Sequence, residues 1–277
     1  MTMTRSPFGR TPTAPKGLTL RAAADATTEA ELLLYDEIGY FGIGAKDVVQ
    51  ALQQVRAEVL HVRLNSPGGD VMDGVAIYNA LRQWAAGGRQ VVTHIDGMAA
   101  SIASVIALAG DEVRMADNAF YMIHEPWAVT LGTAGDHRKT AEVLDKVEGV
   151  ILDTYMKRAE ADRAEVQQWM QAETWFTAQE ALDAGFVDTL VEATPAKARF
   201  DLSVFRNAPT ALREAAPARA SERDLERLLR DAGCSRSEAK AAVAALKGPN
   251  SPRDAAEGGV TAQVGTDLLR HLKTLTQ

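Results

Sequence analysis

The chain has 277 residues, 46% hydrophobic and 24% charged, with a formal net charge of −7; that is ordinary globular composition, enough for one good-sized core plus an appendage or for two small domains. The negative balance argues against general binding to nucleic-acid backbones, and the single cysteine, Cys234, excludes an intrachain disulfide and fits a reducing compartment. No apolar run approaches the ~20 residues of a membrane span, and the N-terminus has Arg5, Arg10 and Lys16 but no apolar signal-peptide core, so no membrane association and a cytoplasmic location are expected.

Residues 1–28 are rich in Thr, Pro, Ala and Arg without periodicity and read as a flexible arm. From 29 to 193 strand and helix signals alternate. The run 32–35 suits a short buried strand, and Val48, Leu52 and Val55 fall at helical spacing. Leu60, Val62 and Leu64 alternate with His61 and Arg63 as in a strand. Val71, Val75, Tyr78, Leu81 and Trp84 mark one face of a helix, and 91–95 is another strand. Residues 101–108 are small and apolar, as in a buried helix, and 113–115 and 120–123 are short strands. Leu144, Val147, Ile151 and Tyr155 stripe a long helix. Repeated βα units of this kind predict an α/β fold with a mainly parallel sheet covered by helices.

Beyond 193 the composition changes. Pro195, Pro209 and Pro217 stand among many Ala and Arg, so 194–220 reads as a linker. Residues 221–277 read as a helical, partly disordered tail. Two short helices are expected there, opening at Ser221 and Ser235 with cap-like sequences, and Gly233 between them suits a C-cap.

Three segments carry chemistry. The first is Gly97-Met98-Ala99-Ala100-Ser101-Ile102-Ala103-Ser104, which follows a strand and opens a helix. A serine there lies near unpaired backbone N–H groups, the donors that a tetrahedral oxyanion needs, although serine is equally a favoured helix cap. The second is Asn65-Ser66-Pro67-Gly68-Gly69-Asp70, whose paired glycines can aim an N–H at a ligand or simply make a Pro-Gly turn. The third is Tyr121-Met122-Ile123-His124-Glu125-Pro126. A serine hydroxyl needs an adjacent base, and histidine titrates near neutrality. Among the histidines, His61 lies within a strand, His94 in the strand leading to Ser101, His137 among charged residues and His271 in the tail. His124 ends a strand, where catalytic groups of α/β folds gather.

Taken together, in this order and at these spacings, the three segments resemble the ClpP peptidases, within a superfamily that also holds the crotonases and the signal-peptide peptidases of the SppA type. The resemblance covers about residues 30–192. It implies the ClpP/crotonase fold, a superhelix of repeated ββα units. It also implies a serine endopeptidase with Ser101 as nucleophile, His124 as base, and the backbone N–H groups of Gly69 and Ile102 as oxyanion hole. The family's acid precedes an aromatic and a T/S-A segment, which maps onto Glu173 of Ala172-Glu173-Thr174-Trp175-Phe176-Thr177-Ala178 where the family usually has Asp. Asp136 and Glu125 are the competing carboxylates. The Ser-Lys dyad of SppA-type enzymes is disfavoured, since no lysine lies between Lys46 and Lys139. Crotonases usually lack a Ser-His pair, so the pair favours peptide hydrolysis over acyl-CoA chemistry.

The resemblance further implies protein or peptide substrates, a homo-oligomeric ring, and no cofactor or metal. No nucleotide motif is present, so any ATP use would require a separate unfoldase. The tail, with Ser221-Glu222-Arg223-Asp224-Leu225-Glu226 and Gly233-Cys234-Ser235-Arg236-Ser237-Glu238, resembles tails of ClpP-like head maturation proteases of phages and prophages. Capsid, portal or scaffold proteins are then the expected substrates during prohead assembly. A ring-forming subunit without activity is the competing reading. In the family the long helix and the loop before it join two rings. The stretch from Trp127 to His137 differs from that of the housekeeping enzymes, leaving double-ring stacking open.

Overall fold

The strand signals resolve into one mixed sheet. In a computed structural model, residues 17–22, 28–39, 42–193, 200, 202, 204–210 and 212 are described. The expected tail, 221–277, with its two helices, Cys234 and His271, lies outside the described residues, as does most of the N-terminal arm.

The strands are β1 (Leu18–Ala22), β2 (Glu29–Leu34), β3 (Val59–Ser66), β4 (Gln90–Ala100), β5 (Glu112–Ala116), β6 (Phe120–Ile123), β7 (Thr174–Thr177) and β8 (Thr189–Val191). The helices are α1 (Ala45–Leu52), α2 (Val71–Ala85), α3 (Ile102–Ala107), α4 (Ala134–Tyr155), α5 (Arg163–Gln171) and α6 (Ala178–Asp183). The sheet runs β1-β2-β3-β4-β5-β8, with β6 paired to the far end of β4 and β7 paired to β6. The pairs β2–β3, β3–β4, β4–β5, β4–β6 and β5–β8 are parallel, as the βα alternation requires, and only β1–β2 and β6–β7 are antiparallel.

Two expectations are corrected. Residues 18–22, assigned to a flexible arm, form β1 and pair with β2 from Leu18↔Leu34 to Ala22↔Ala30. Leu18 and Leu20 alternate with Thr19 and Arg21 and pack on the core, a period of two hidden by the Pro- and Thr-rich sequence before it. The linker assigned to 194–220 is not free along its described part, because Leu202, Phe205 and Ala208 are buried against Met98, Ala100 and Met122.

The core follows the hydrophobic pattern. Leu60, Val62 and Leu64 of β3 and Ile77 and Leu81 of α2 are wholly buried, each burial stabilising the fold by about 1.5–3 kcal/mol before entropy is counted. In α4 the apolar stripe is covered only near its C-terminal end, at Ile151, Leu152 and Tyr155. Its N-terminal turns are solvated, and the helix starts at a capping box between Thr133 and Asp136. Trp127, Val129 and Leu131, in the loop before α4, are exposed.

The other face of β2–β5 is polar. Arg63 donates from Nε and Nη2 to the Asp96 carboxylate at 2.8 and 2.5 Å, and the Tyr35 hydroxyl donates to the same group. His61 Nδ1 and His94 Nε2 are 3.0 Å apart. Burial, with Arg63, His61 and Arg114 nearby, pushes the His94 imidazole down to about 4.

No helix among the described residues is long and apolar enough to cross a membrane.

Candidate active site

The site gathers where β4 ends. β4 pairs with β6 in parallel register, Ala100 beside Met122, and the Ser101 N–H donates to the Met122 carbonyl at 3.0 Å. The two candidate side chains stand just past the ends of these strands, Ser101 after β4 and His124 after β6. Ser101 Oγ and His124 Nε2 are 2.7 Å apart, within hydrogen-bond reach for proton transfer. Both residues remain partly exposed.

Ser101 has φ 56° and ψ −130°, a rare conformation for a residue with a side chain. It makes no side-chain cap bond to α3, so the helix-cap alternative is not realised. A network behind it holds the turn. The Ser104 hydroxyl donates to the Ser101 carbonyl, lies 2.7 Å from the Tyr155 hydroxyl, and its own carbonyl accepts from Tyr121 Oη at 3.0 Å. Burial drives both tyrosine hydroxyls far above their usual range, so they stay neutral donors.

The glycine loop presses against the serine. Gly68 has φ +91°, and a Cβ there would stand 2.6 Å from Ser101 Cβ and 2.6 Å from the Ala100 carbonyl oxygen. Gly69 has φ +143° and faces Ile38, whose N–H donates to the Gly68 carbonyl and whose carbonyl accepts from Asp70. The Gly69 N–H has no acceptor among the described residues. Ile102 is the first residue of α3, so its N–H has no intrahelical partner.

Glu173 is 5% exposed and has φ +51° at the turn before β7. Its carboxylate accepts from the backbone N–H groups of Arg206 at 3.0 Å and Asn207 at 2.6 Å. No hydrogen bond joins it to His124 among the described residues. Its charge is nevertheless felt at the imidazole. Burial lowers the His124 pKa, Glu173 raises it and Arg206 lowers it, with burial the largest effect. Of the competing carboxylates, Asp136 is engaged in the α4 capping box, while the Glu125 backbone N–H bonds to the Met170 carbonyl.

The sequence reading missed the contribution of 202–208. The Phe205 ring packs edge-on against His124 at 5.7 Å and against Trp175 at 5.6 Å. The only hint was the apolar set Phe200, Leu202, Phe205 within a Pro- and Ala-rich stretch. The role of Ser104 was likewise unassigned, although it sits three residues after Ser101. Among the described residues, no group of three His, Cys, Asp or Glu side chains is placed to hold a metal ion.

A serine hydroxyl against an imidazole, with free N–H groups and a nearby buried carboxylate, can carry out acyl transfer. Known proteins match the same part of the chain. It is 31% identical over 153 residues to the ATP-dependent Clp protease proteolytic subunit 1 of Leifsonia xyli subsp. xyli, covering 54% of this chain and 76% of that protein. It is 31% identical over 162 residues to proteolytic subunit 2 of Thermobifida fusca, covering 58% and 77%. It is 32% identical over 137 residues to the proteolytic subunit of Deinococcus radiodurans, covering 49% and 66%. The Clp protease family profile spans residues 26–194, and the chain belongs to that family of serine peptidases.

Proposed function

We propose that the protein is a ClpP-type serine endopeptidase in which Ser101 is the nucleophile, His124 the general base and Glu173 the third member of the triad. The observation that carries this reading is the 2.7 Å approach of Ser101 Oγ to His124 Nε2. His124 takes the proton from Ser101 as the hydroxyl attacks the scissile carbonyl. The N–H groups of Gly69 and Ile102 hold the oxyanion, and Glu173 stabilises the imidazolium. His124 then returns the proton to the leaving amine, and water, activated by the same imidazole, releases the acyl group.

The substrates are proposed to be phage assembly proteins (capsid, portal or scaffold), cut during prohead maturation in the host cytoplasm by a homo-oligomeric ring. This rests on the resemblance of the tail, and on a chain that runs to residue 277 while the family profile stops at 194. A second reading, a proteolytic subunit fed by an ATP-dependent unfoldase, is favoured by what the matched relatives are called.

Co-expression of wild type and Ser101→Ala with the gene products encoded beside this one, followed by intact mass spectrometry, tests the proposal. Serine-dependent truncation of an assembly protein supports it and gives the cleavage site. Identical masses in both samples, with activity appearing only when an unfoldase and ATP are added, favour the second reading.

A further inference from the structure

The sheet beneath the site is covered on two sides by different parts of the chain. Successive residues of a strand point to opposite faces. On β4 and β6, Ala99, Tyr121 and Ile123 face the main core, while Met98, Ala100 and Met122 face the other way. The second set is buried not by a helix of the peptidase fold but by Leu202, Phe205 and Ala208. These lie beyond the family-matching region, which ends at residue 194.

The same segment touches both partners of Ser101. Phe205 closes one side of the His124 ring. The next two residues give their backbone N–H groups to opposite oxygens of Glu173, Arg206 to Oε2 and Asn207 to Oε1. Asn207 is fixed in turn by its Nδ2, which donates to the Ala172 carbonyl at 2.7 Å. An ionised carboxylate offers about four acceptor sites; the two backbone bonds and a longer one from Trp175 Nε1 to Oε1 at 3.5 Å anchor Glu173 and leave a site on Oε2 for the imidazole. Glu173 also sits in a left-handed backbone conformation, and such a residue keeps its place only if its surroundings hold it. Ser101 and His124 stay partly exposed, so the segment supports the site without plugging it.

We propose that residues 202 and 204–208 are a positioning element of the active site, with Phe205 fixing the His124 ring and the N–H groups of Arg206 and Asn207 aiming the longer Glu173 side chain. This deepens the triad assignment above and rests on it. Backbone donors serve here because their direction is set by the chain path, which the burial of Leu202, Phe205 and Ala208 fixes. The charges facing His124 are Glu173 from the turn before β7 and Arg206 from the segment itself.

The test is the rate at which a fluorophosphonate labels Ser101 in the full-length protein, followed by intact mass across pH. Phe205→Ala is expected to slow labelling roughly 10–100-fold, as loss of reacting geometry does. It should also move the acid limb to higher pH, because the imidazole is less desolvated. Phe205→Leu should recover most of both. Asn207→Pro, which deletes the backbone donor, should slow labelling well beyond Asn207→Ala, which keeps it and loses only the Nδ2 bond to the Ala172 carbonyl. In a Glu173→Ala background the proline change should add nothing further. This second pair decides the matter if Phe205→Ala fails to fold. Wild-type rates and an unmoved limb in Phe205→Ala, or equal rates in both Asn207 variants, would overturn the proposal while leaving the triad standing. A wild-type protein that resists the probe altogether would overturn the triad reading itself, and this inference with it.

Discussion

Ser101 and His124 meet because their strands are in register. With Ala100 beside Met122 and the Ser101 N–H bonded to the Met122 carbonyl, Ser101 Oγ lies 2.7 Å from His124 Nε2. The pair is therefore set by backbone hydrogen bonds at the end of β4 rather than by side-chain packing alone. Ser101→Ala should lower peptide hydrolysis by about 10⁴–10⁶-fold, as in other triads. Burial lowers the His124 pKa below its ordinary 6.5, and the proposed mechanism uses the neutral imidazole as base. The acid limb of kcat/KM should thus fall below pH 6.5. A limb at or above that value in a fluorogenic peptide assay would contradict the lowering of the His124 pKa by its partly buried setting.

Glu173→Gln separates charge from shape. It keeps most of the volume and removes the negative charge that raises the His124 pKa. The rate should fall by about 10³–10⁴-fold, in line with the loss of a triad acid, while the residual acid limb moves to lower pH. A limb moving upward would mean that Glu173 does not act on the imidazole.

Gly68→Ala brings a methyl group within 2.6 Å of Ser101 Cβ at a φ of +91°. Either the loop or Ser101 must move, and for a reacting group a misplacement near 1 Å costs about 10²-fold in rate. Fluorophosphonate labelling that matched wild type would show that the loop yields without disturbing Ser101.

The hydroxyl network behind Ser101 should respond asymmetrically. Ser104→Ala strands the buried Tyr155 hydroxyl, costing about 1–3 kcal/mol of stability. Tyr155→Phe leaves Ser104 still donating to the Ser101 carbonyl, and should cost only about 0.5–1.5 kcal/mol. Urea unfolding of the two variants would reveal the order, and a reversed order would contradict the assigned direction of donation.

His94 supplies an acid sensitivity. Its folded pKa is pushed down to about 4 from an ordinary 6.5. Between those values the unfolded chain binds more protons than the folded one, so stability falls as pH drops through that window. Arg63, His61, Arg114 and Glu112 are the charged or titratable groups that act on it. His94→Asn should flatten the decline in Tm between pH 6.5 and 4, and an unchanged slope would place the sensitivity elsewhere.

Much of the β-α alternation was legible because its residues obey local periodicities, as Leu60, Val62 and Leu64 do. The candidate residues Ser101, His124 and Gly69 stood out through their motifs. What escaped depended on distant chain. β1 is defined by its partner β2, and nothing in Leu18–Ala22 announces that pairing. The same holds for the partners of Glu173. The backbone N–H groups of Arg206 and Asn207 lie 33 and 34 residues away and have no side-chain identity to read. Phe205 acquires meaning only when it is seen beside His124.

The packing of Leu202, Phe205 and Ala208 against the sheet separates two boundaries that usually coincide. The peptidase fold, judged by the family match, ends at 194, whereas the last groups bonded to its buried carboxylate lie at 206 and 207. A chain trimmed to the first boundary would keep Ser101 and His124 and lose the clamp on Glu173. Because the clamp is covalently tethered, it acts at high effective concentration. A peptide-bond break between Ala193 and Phe200 would turn it into a dissociable ligand, and under the proposed triad the integrity of that short stretch becomes a condition of full activity.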